Sequence, residues 1–302
     1  MLICDTQPIV INTEDGIEAV INKLNSLART GDYVFRGYGK QDELLPNIIR
    51  EKDYTNLEND LLHDFEKYGS NYFSANTPID FMSYAQHFGL PTRLLDFTHN
   101  PFIALSFALY MPKGTRYTEN DDKTYYYVRF ASLKENLCIA SIPLTDKINN
   151  LEWMQTDSLS KKASQCIDSV TDLFGPNKLN RSIFSLDDFV DTVKNTYDKQ
   201  EKIRNHTILF IDPNQSNQRI IMQQGLFMFP YTLKKTEHLQ IIQKNTSVIK
   251  IHKGLRDELV KYLDTLGYNT FRLMPDLSSI SQAIKRRLID ERSSQRDIFK
   301  KK

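Results

Sequence analysis

Apolar residues recur at helical spacing through Ile17, Val20, Ile21, Leu24 and Leu27, which predicts an amphipathic helix over about 14–28 with Asn12 or Thr13 as its cap and Gly31 beyond its end. PIVIN at 8–12 and YVFRG at 33–37 are short β-prone runs on either side, the second stopped by Gly37. LLPNIIR at 44–50 and an amphipathic helix over about 56–73 follow. The next helix opens at Pro78 and stops at HFGLP, where Gly89 suits a left-handed residue after the last turn and Pro91 bars continuation. Asn100 and Pro101 are a cap and first-turn signal for PFIALSFALYM, a helix apolar nearly all round and therefore expected against a sheet.

Farther along, TYYYVRFA at 124–131, TILFIDP at 207–213 and IIMQQGLFMF at 220–229 read as strands, with Gly225 marking a bend or bulge in the last. VIKIHK, a helix near 254–266, a short strand at NTFRLM and a last helix over about 277–291 complete the chain. Residues 132–205, rich in Lys, Asn, Asp and Ser, read as a helical, polar insertion or cap. Strands and helices mix without βαβ alternation. The expectation is therefore an α+β fold, one elaborated domain over 1–302 with a mixed or antiparallel sheet core flanked by helices.

Composition narrows the function classes. Lys+Arg number 39 against 38 Asp+Glu, a net charge of +1, so the whole molecule has no field that selects nucleic acid or anionic membrane. Cys4, Cys138 and Cys166 stand far apart, without the pairing of a zinc site or a disulfide framework. No apolar run approaches the roughly 18 residues of a membrane helix, and the first residues lack a signal-peptide pattern. A soluble cytoplasmic protein without a membrane partner is expected.

Three clusters could carry chemistry. Arg36, at a strand end before Gly37, presents a planar fork to carboxylate or phosphate, and the glycine allows close approach to the backbone. In QHFGLPTRLLDFTHNP, Arg93 and Asp96 are three apart and suggest a buried ion pair, while Gln86, His87, Thr92 and Thr98 could rim a pocket that binds sugar or phosphate. His87 at a helix end also suits a capping role. In RIIMQQGLF, strand alternation points Gln223 and Phe227 to one side and Gln224 to the other. No Ser-His-Asp, P-loop or metal-ligand spacing occurs, so no metal is expected.

Taken together, FRG, LLPNIIR, AQHFGLPTRLLDFTHNPFIALSFA, RIIMQQGLF and LMPDLSSI resemble the FRG-domain family, in order from about 33 to 285. A fainter similarity links Phe35-Arg36-Gly37 and Phe97-Thr98 with Ala104-Leu105-Ser106-Phe107-Ala108 to the ADP-ribosyltransferase superfamily. That similarity implies an ADP-ribosyltransferase-like fold and NAD as substrate. It also implies catalytic roles for Arg36, Thr98 and Gln223, with Arg36, Gly37, Gln86, His87, Thr92, Arg93 and Gln224 around the dinucleotide. The superfamily places a glutamate where this chain offers Gln223 and Gln224, with Glu237 some way downstream.

The leading expectation is an NAD-dependent ADP-ribosyltransferase acting on RNA, DNA or protein. It would be a bacterial toxin or antiphage effector, with an antitoxin or chaperone protein as a further partner. The alternative is a non-catalytic nucleotide- or RNA-binding sensor using Arg36, Gln86, His87 and Arg93. A hydrolase or nuclease using His87 and Asp96 is a third class, weakened by the absence of an accompanying nucleophile or metal pattern.

Overall fold

The computed structural model describes residues 7–50, 54–69, 71–72, 78–109, 124–134, 136–140, 208–213, 218–230 and 232–277, together with 280, 281, 284, 285 and 288. In chain order the strands are β1 (Ile9–Ile11), β2 (Tyr33–Tyr38), β3 (Leu95–Thr98), β4 (Tyr125–Ser132), β5 (Leu137–Ala140), β6 (Leu209–Asp212), β7 (Gly225–Phe229) and β8 (Ser247–His252). The helices are α1 (Gly16–Ala28), α2 (Asn47–Arg50), α3 (Glu58–Gly69), α4 (Pro78–His87), α5 (Pro101–Leu109), α6 (Gln218–Gln223), α7 (Lys235–Asn245), α8 (Arg256–Thr265) and α9 (Thr270–Leu273). No helix among the described residues is long and apolar enough to cross a membrane.

The strands join in the order β1-β8-β4-β2-β3-β7-β6-β5. The outermost pairs, β1 with β8 and β5 with β6, are parallel, and every pairing between them is antiparallel. The chain is thus α+β with a mixed open sheet. Period-two alternation sends side chains to both faces of the sheet, and each face carries an apolar core. Phe35, Val128, Phe130, Ile249 and Ile251 meet α1, α5 and α8 in one core. Val34, Tyr38, Leu95, Phe97, Phe210 and Met228 form the other, closed by Leu44 and by Ile242 of α7.

Local signals set the helix ends. Asn100 Oδ1 accepts from the Phe102 N–H at 2.9 Å and the Ile103 N–H at 3.4 Å, capping α5. Gly89, with φ +92°, lets its own N–H and that of Leu90 turn back to the carbonyls of Gln86 and Ala85, which closes α4.

Of two expected strands, 220–229 is helical in its first half only and the one at NTFRLM is helical. Residues 218–223 form α6, Gln224 turns left-handed with φ 44°, and β7 begins only at Gly225. NTFRLM forms α9 because Asn269 Oδ1 accepts from the Arg272 N–H at 3.2 Å, a cap that outweighs the β-prone composition. The expected insertion or cap at 132–205 lies largely outside the described residues, yet Leu137–Ala140 near its start is β5, an edge strand of the sheet.

One buried group makes this fold acid-sensitive. His238 of α7 is 1% exposed, and its Nε2 lies 3.0 Å from the Leu44 carbonyl, so Nε2 carries the proton and donates. Burial pushes its pKa down from 6.5 to about 4, opposed by the Leu44 hydrogen bond and reinforced by the Arg36 charge. The unfolded chain therefore binds this proton more readily. Stability present above about pH 6.5 is lost as pH falls toward 4, and by pH 5 the loss is about 2 kcal/mol. Urea unfolding at pH 7 and pH 5 should show His238→Gln losing that much less than the wild type. Parallel pH dependence in the two proteins would contradict it.

Candidate functional site

β2 and β3 share a single residue pair, Phe35 opposite Thr98. Beyond it the two strands are bridged by a side chain rather than by a ladder. Arg36 Nη1 donates to the Asp96 carbonyl at 2.6 Å, and its Nε and Nη2 donate to the Glu43 carbonyl at 3.1 and 2.6 Å. The residue is half-buried. Burial pulls the guanidinium pKa down and the Asp96 carboxylate opposes that, but a guanidinium stays cationic at neutral pH.

At this junction lies a cleft of about 240 Å³ lined by Phe35, Arg36, Gly37, Glu43, Arg50, Asp96, Phe97, Thr98, Phe107, Arg219, Gln223 and Met274. A smaller lobe of about 40 Å³ adjoins it through Asp96, Phe97, Arg219 and Gln223, and is further lined by Ser83, Gln86, His87, Ile220 and residues 225–227. Arg36, Arg50 and Arg219 are the cationic residues of the larger lining, and Glu43 and Asp96 the anionic ones. Three cations against two anions suit a phosphorylated ligand.

The three residues expected to be catalytic thus line one cleft, each held by the main chain. Thr98 Oγ1 is buried, donates to the Gln223 carbonyl at 2.7 Å and accepts from the Asn100 N–H at 3.0 Å. Gln223 Nε2 donates to the Leu273 carbonyl at 2.8 Å. Gly37 lines the cleft as well, while Gln86 and His87 line only the small lobe. His87 Nδ1 is buried without a hydrogen-bond partner among the described residues. Burial, and then the Arg219 cation, push the His87 pKa down against Asp276. A neutral imidazole is a poor partner for phosphate.

Thr92, Arg93 and Gln224 line neither space. Thr92 is buried and donates its hydroxyl to Gln86 Oε1 at 2.5 Å. Gln224 is exposed, and its carbonyl accepts from the His99 N–H at 3.0 Å. Gln223 ends a helix, so the strand alternation expected to orient the two glutamines does not apply. Glu237, in the first turn of α7, binds Thr232 at 2.9 Å and Lys234 at 3.1 Å, outside the cleft.

The expected Arg93–Asp96 pair does not form. Arg93 Nε donates to Glu58 Oε1 and Oε2 at 2.9 and 3.0 Å, and Nη2 also binds Oε2. Its guanidinium lies 5.3 Å from the Phe229 ring centroid. Three-residue spacing joins side chains on a helix, whereas in extended chain it points them to opposite sides. Asp96 is exposed and accepts at Oδ1 from Gln86 Nε2 at 2.7 Å. Arg50 and Arg219 line the cleft as well, although the sequence motifs did not single them out; Arg50 ends LLPNIIR and Arg219 opens RIIMQQGLF.

Residues 31–116 match the family model of the FRG domain. That stretch holds Arg36, Glu58, Gln86, Arg93, Asp96 and Thr98 and ends before Arg219 and Gln223. No match was found among curated proteins or among solved structures.

Proposed function

We propose that this chain, which carries an FRG domain over residues 31–116, is an NAD-dependent ADP-ribosyltransferase that modifies a macromolecule. The observation behind the reading is that Arg36, Thr98 and Gln223, from three distant segments, line one cleft. At about 240 Å³ it falls a little below the usual range of about 300–1,000 Å³ for small-molecule sites. It suits one ribose-phosphate half of a dinucleotide, with the remainder reaching into the open mouth. Arg36, Arg50 and Arg219 supply the fixed cations that a pyrophosphate requires. Cleavage of the nicotinamide glycosidic bond builds positive charge on the ribose, which preorganised groups in such a cleft can stabilise. On this reading the protein works in the cytoplasm as a bacterial toxin or antiphage effector, held in check by a partner protein.

A second reading, a nucleotide- or RNA-binding module without chemistry, draws support from a different observation. Arg36, Thr98 and Gln223 each already bind main-chain carbonyls. One experiment separates the two. Folded protein is given NAD labelled in its adenylate half, with and without cell lysate, and free nicotinamide and labelled macromolecules are measured. The transferase reading expects both products in lysate. Bound NAD with no nicotinamide released supports the module. Neither binding nor release by folded protein removes the transferase.

A further inference from the structure

Of the two carboxylates in the cleft, Glu43 is committed to its own loop. Its Oε2 accepts from the N–H groups of Gly39 at 2.9 Å and Lys40 at 3.4 Å. Asp96 is different. It is the one exposed residue of β3, between the buried Leu95 and Phe97, and it lines both lobes.

Its main chain and its side chain are fixed by separate contacts. Arg36 Nη1 grips the carbonyl. Gln86 Nε2 grips Oδ1, and the amide can face only one way because a carboxylate oxygen only accepts, which leaves Gln86 Oε1 to take the Thr92 hydroxyl. The Thr92 hydroxyl is oriented in turn by accepting from the Leu94 N–H at 3.3 Å. Asp96 Oδ2 has no hydrogen-bond partner among the described residues, although the Arg36 cation is close enough to feel its charge. Arg36 spends three of its donors on main-chain carbonyls and makes no hydrogen bond to that oxygen.

We infer that Asp96 is the catalytic carboxylate of the cleft, poised between a donor ribose in the large lobe and an acceptor group in the small one; this rests on the ADP-ribosyl transfer reading above. The C1′–N bond of the nicotinamide ribose breaks with its electron pair passing to the pyridinium nitrogen, so nicotinamide leaves neutral. A lone pair of the acceptor forms the new bond to C1′, and the acceptor's proton passes to Asp96 Oδ2. Until then the carboxylate stabilises the positive charge on the sugar. Gln86, Thr92 and Arg36 act as positioning residues. The small lobe, about 40 Å³, admits an acceptor atom with little around it, such as a hydroxyl.

The test compares wild type with Asp96→Asn, which keeps an oxygen for Gln86, and with Gln86→Leu. Nicotinamide release, NAD affinity by titration and melting temperature are measured in each. Asp96→Asn should release nicotinamide about 100-fold more slowly or worse, with NAD affinity within about 3-fold of wild type and the melt unchanged. Gln86→Leu should lower kcat about 10-fold and leave KM alone, which a purely structural role would not do. Turnover at the wild-type rate by Asp96→Asn overturns the assignment and leaves the transferase standing. Should Asp96→Asn fail to fold, an unchanged kcat in Gln86→Leu overturns it equally. Wild type that neither binds NAD nor releases nicotinamide overturns both.

Discussion

Glu58→Ala and Arg93→Ala should each cost the fold about 3–5 kcal/mol, even though neither residue lines the cleft. Glu58 is 3% and Arg93 6% exposed, so removing either leaves a full charge inside the protein without its counter-ion. Arg93 uses Nε on both carboxylate oxygens and Nη2 on one of them. Glu58 opens α3, where the helix dipole also favours its negative charge. The pair ties α3 to the segment that leads into β3 and so sets where Asp96 begins. Replacing both together, Glu58→Leu with Arg93→Met, should recover most of the loss, because apolar side chains of similar volume incur no desolvation of charge. Urea unfolding of the two single variants and the double variant measures this. Single losses below about 1 kcal/mol would show that water reaches the pair in solution.

The stretch from Ser83 to Leu109 shows how far sequence reasoning reaches here. Gly89 and Asn100 were legible because each acts on its own neighbours, through a left-handed φ or a side chain that binds N–H groups two and three residues on. The partner of Arg93 was not, since Glu58 lies 35 residues away at the start of α3 and nothing in the local pattern points to it. α6 failed for a related reason. Six residues, QRIIMQ, are too few for periodicity to separate helix from strand. What fixes the end of α6 is the Thr98 hydroxyl on the Gln223 carbonyl, 125 residues distant in the chain.

The same division runs through the cleft. That Arg36, Thr98 and Gln223 share it was an expectation from motif order, and they do line one space. Their hydrogen bonds were not foreseeable, and those bonds alter what the residues can do. A guanidinium with three donors on carbonyls has fewer left for phosphate. A threonine hydroxyl that already donates can only accept from a sugar. The exposed carboxylate of the lining is Asp96, the residue expected to pair with Arg93.

Gly37→Ala should destabilise the protein by about 3 kcal/mol or more, at the upper end of overpacking substitutions. A Cβ on Gly37 would stand 1.6 Å from the Ala104 carbonyl oxygen, 2.6 Å from its carbon and 2.9 Å from the Ala108 nitrogen. All three are main-chain atoms of α5, so no rotamer change relieves the clash. The helix itself must lift from β2. It cannot do so cheaply, because Ile103, Ala104, Leu105, Ala108 and Leu109 are all buried and most of them pack with Phe35, Val128 and Phe130. Gly89 gives the contrast: its φ is +92° and nothing lies within 4 Å of where a Cβ would go, so Gly89→Ala meets backbone strain alone and should cost about 1 kcal/mol. Lifting α5 would also move Phe107, which walls the cleft, so ligand affinity in Gly37→Ala should fall along with stability. Thermal and urea unfolding of the two alanine variants side by side gives the comparison. If Gly37→Ala is no worse than Gly89→Ala, α5 does not sit as close to β2 as this packing requires, and the cleft wall it forms is misplaced.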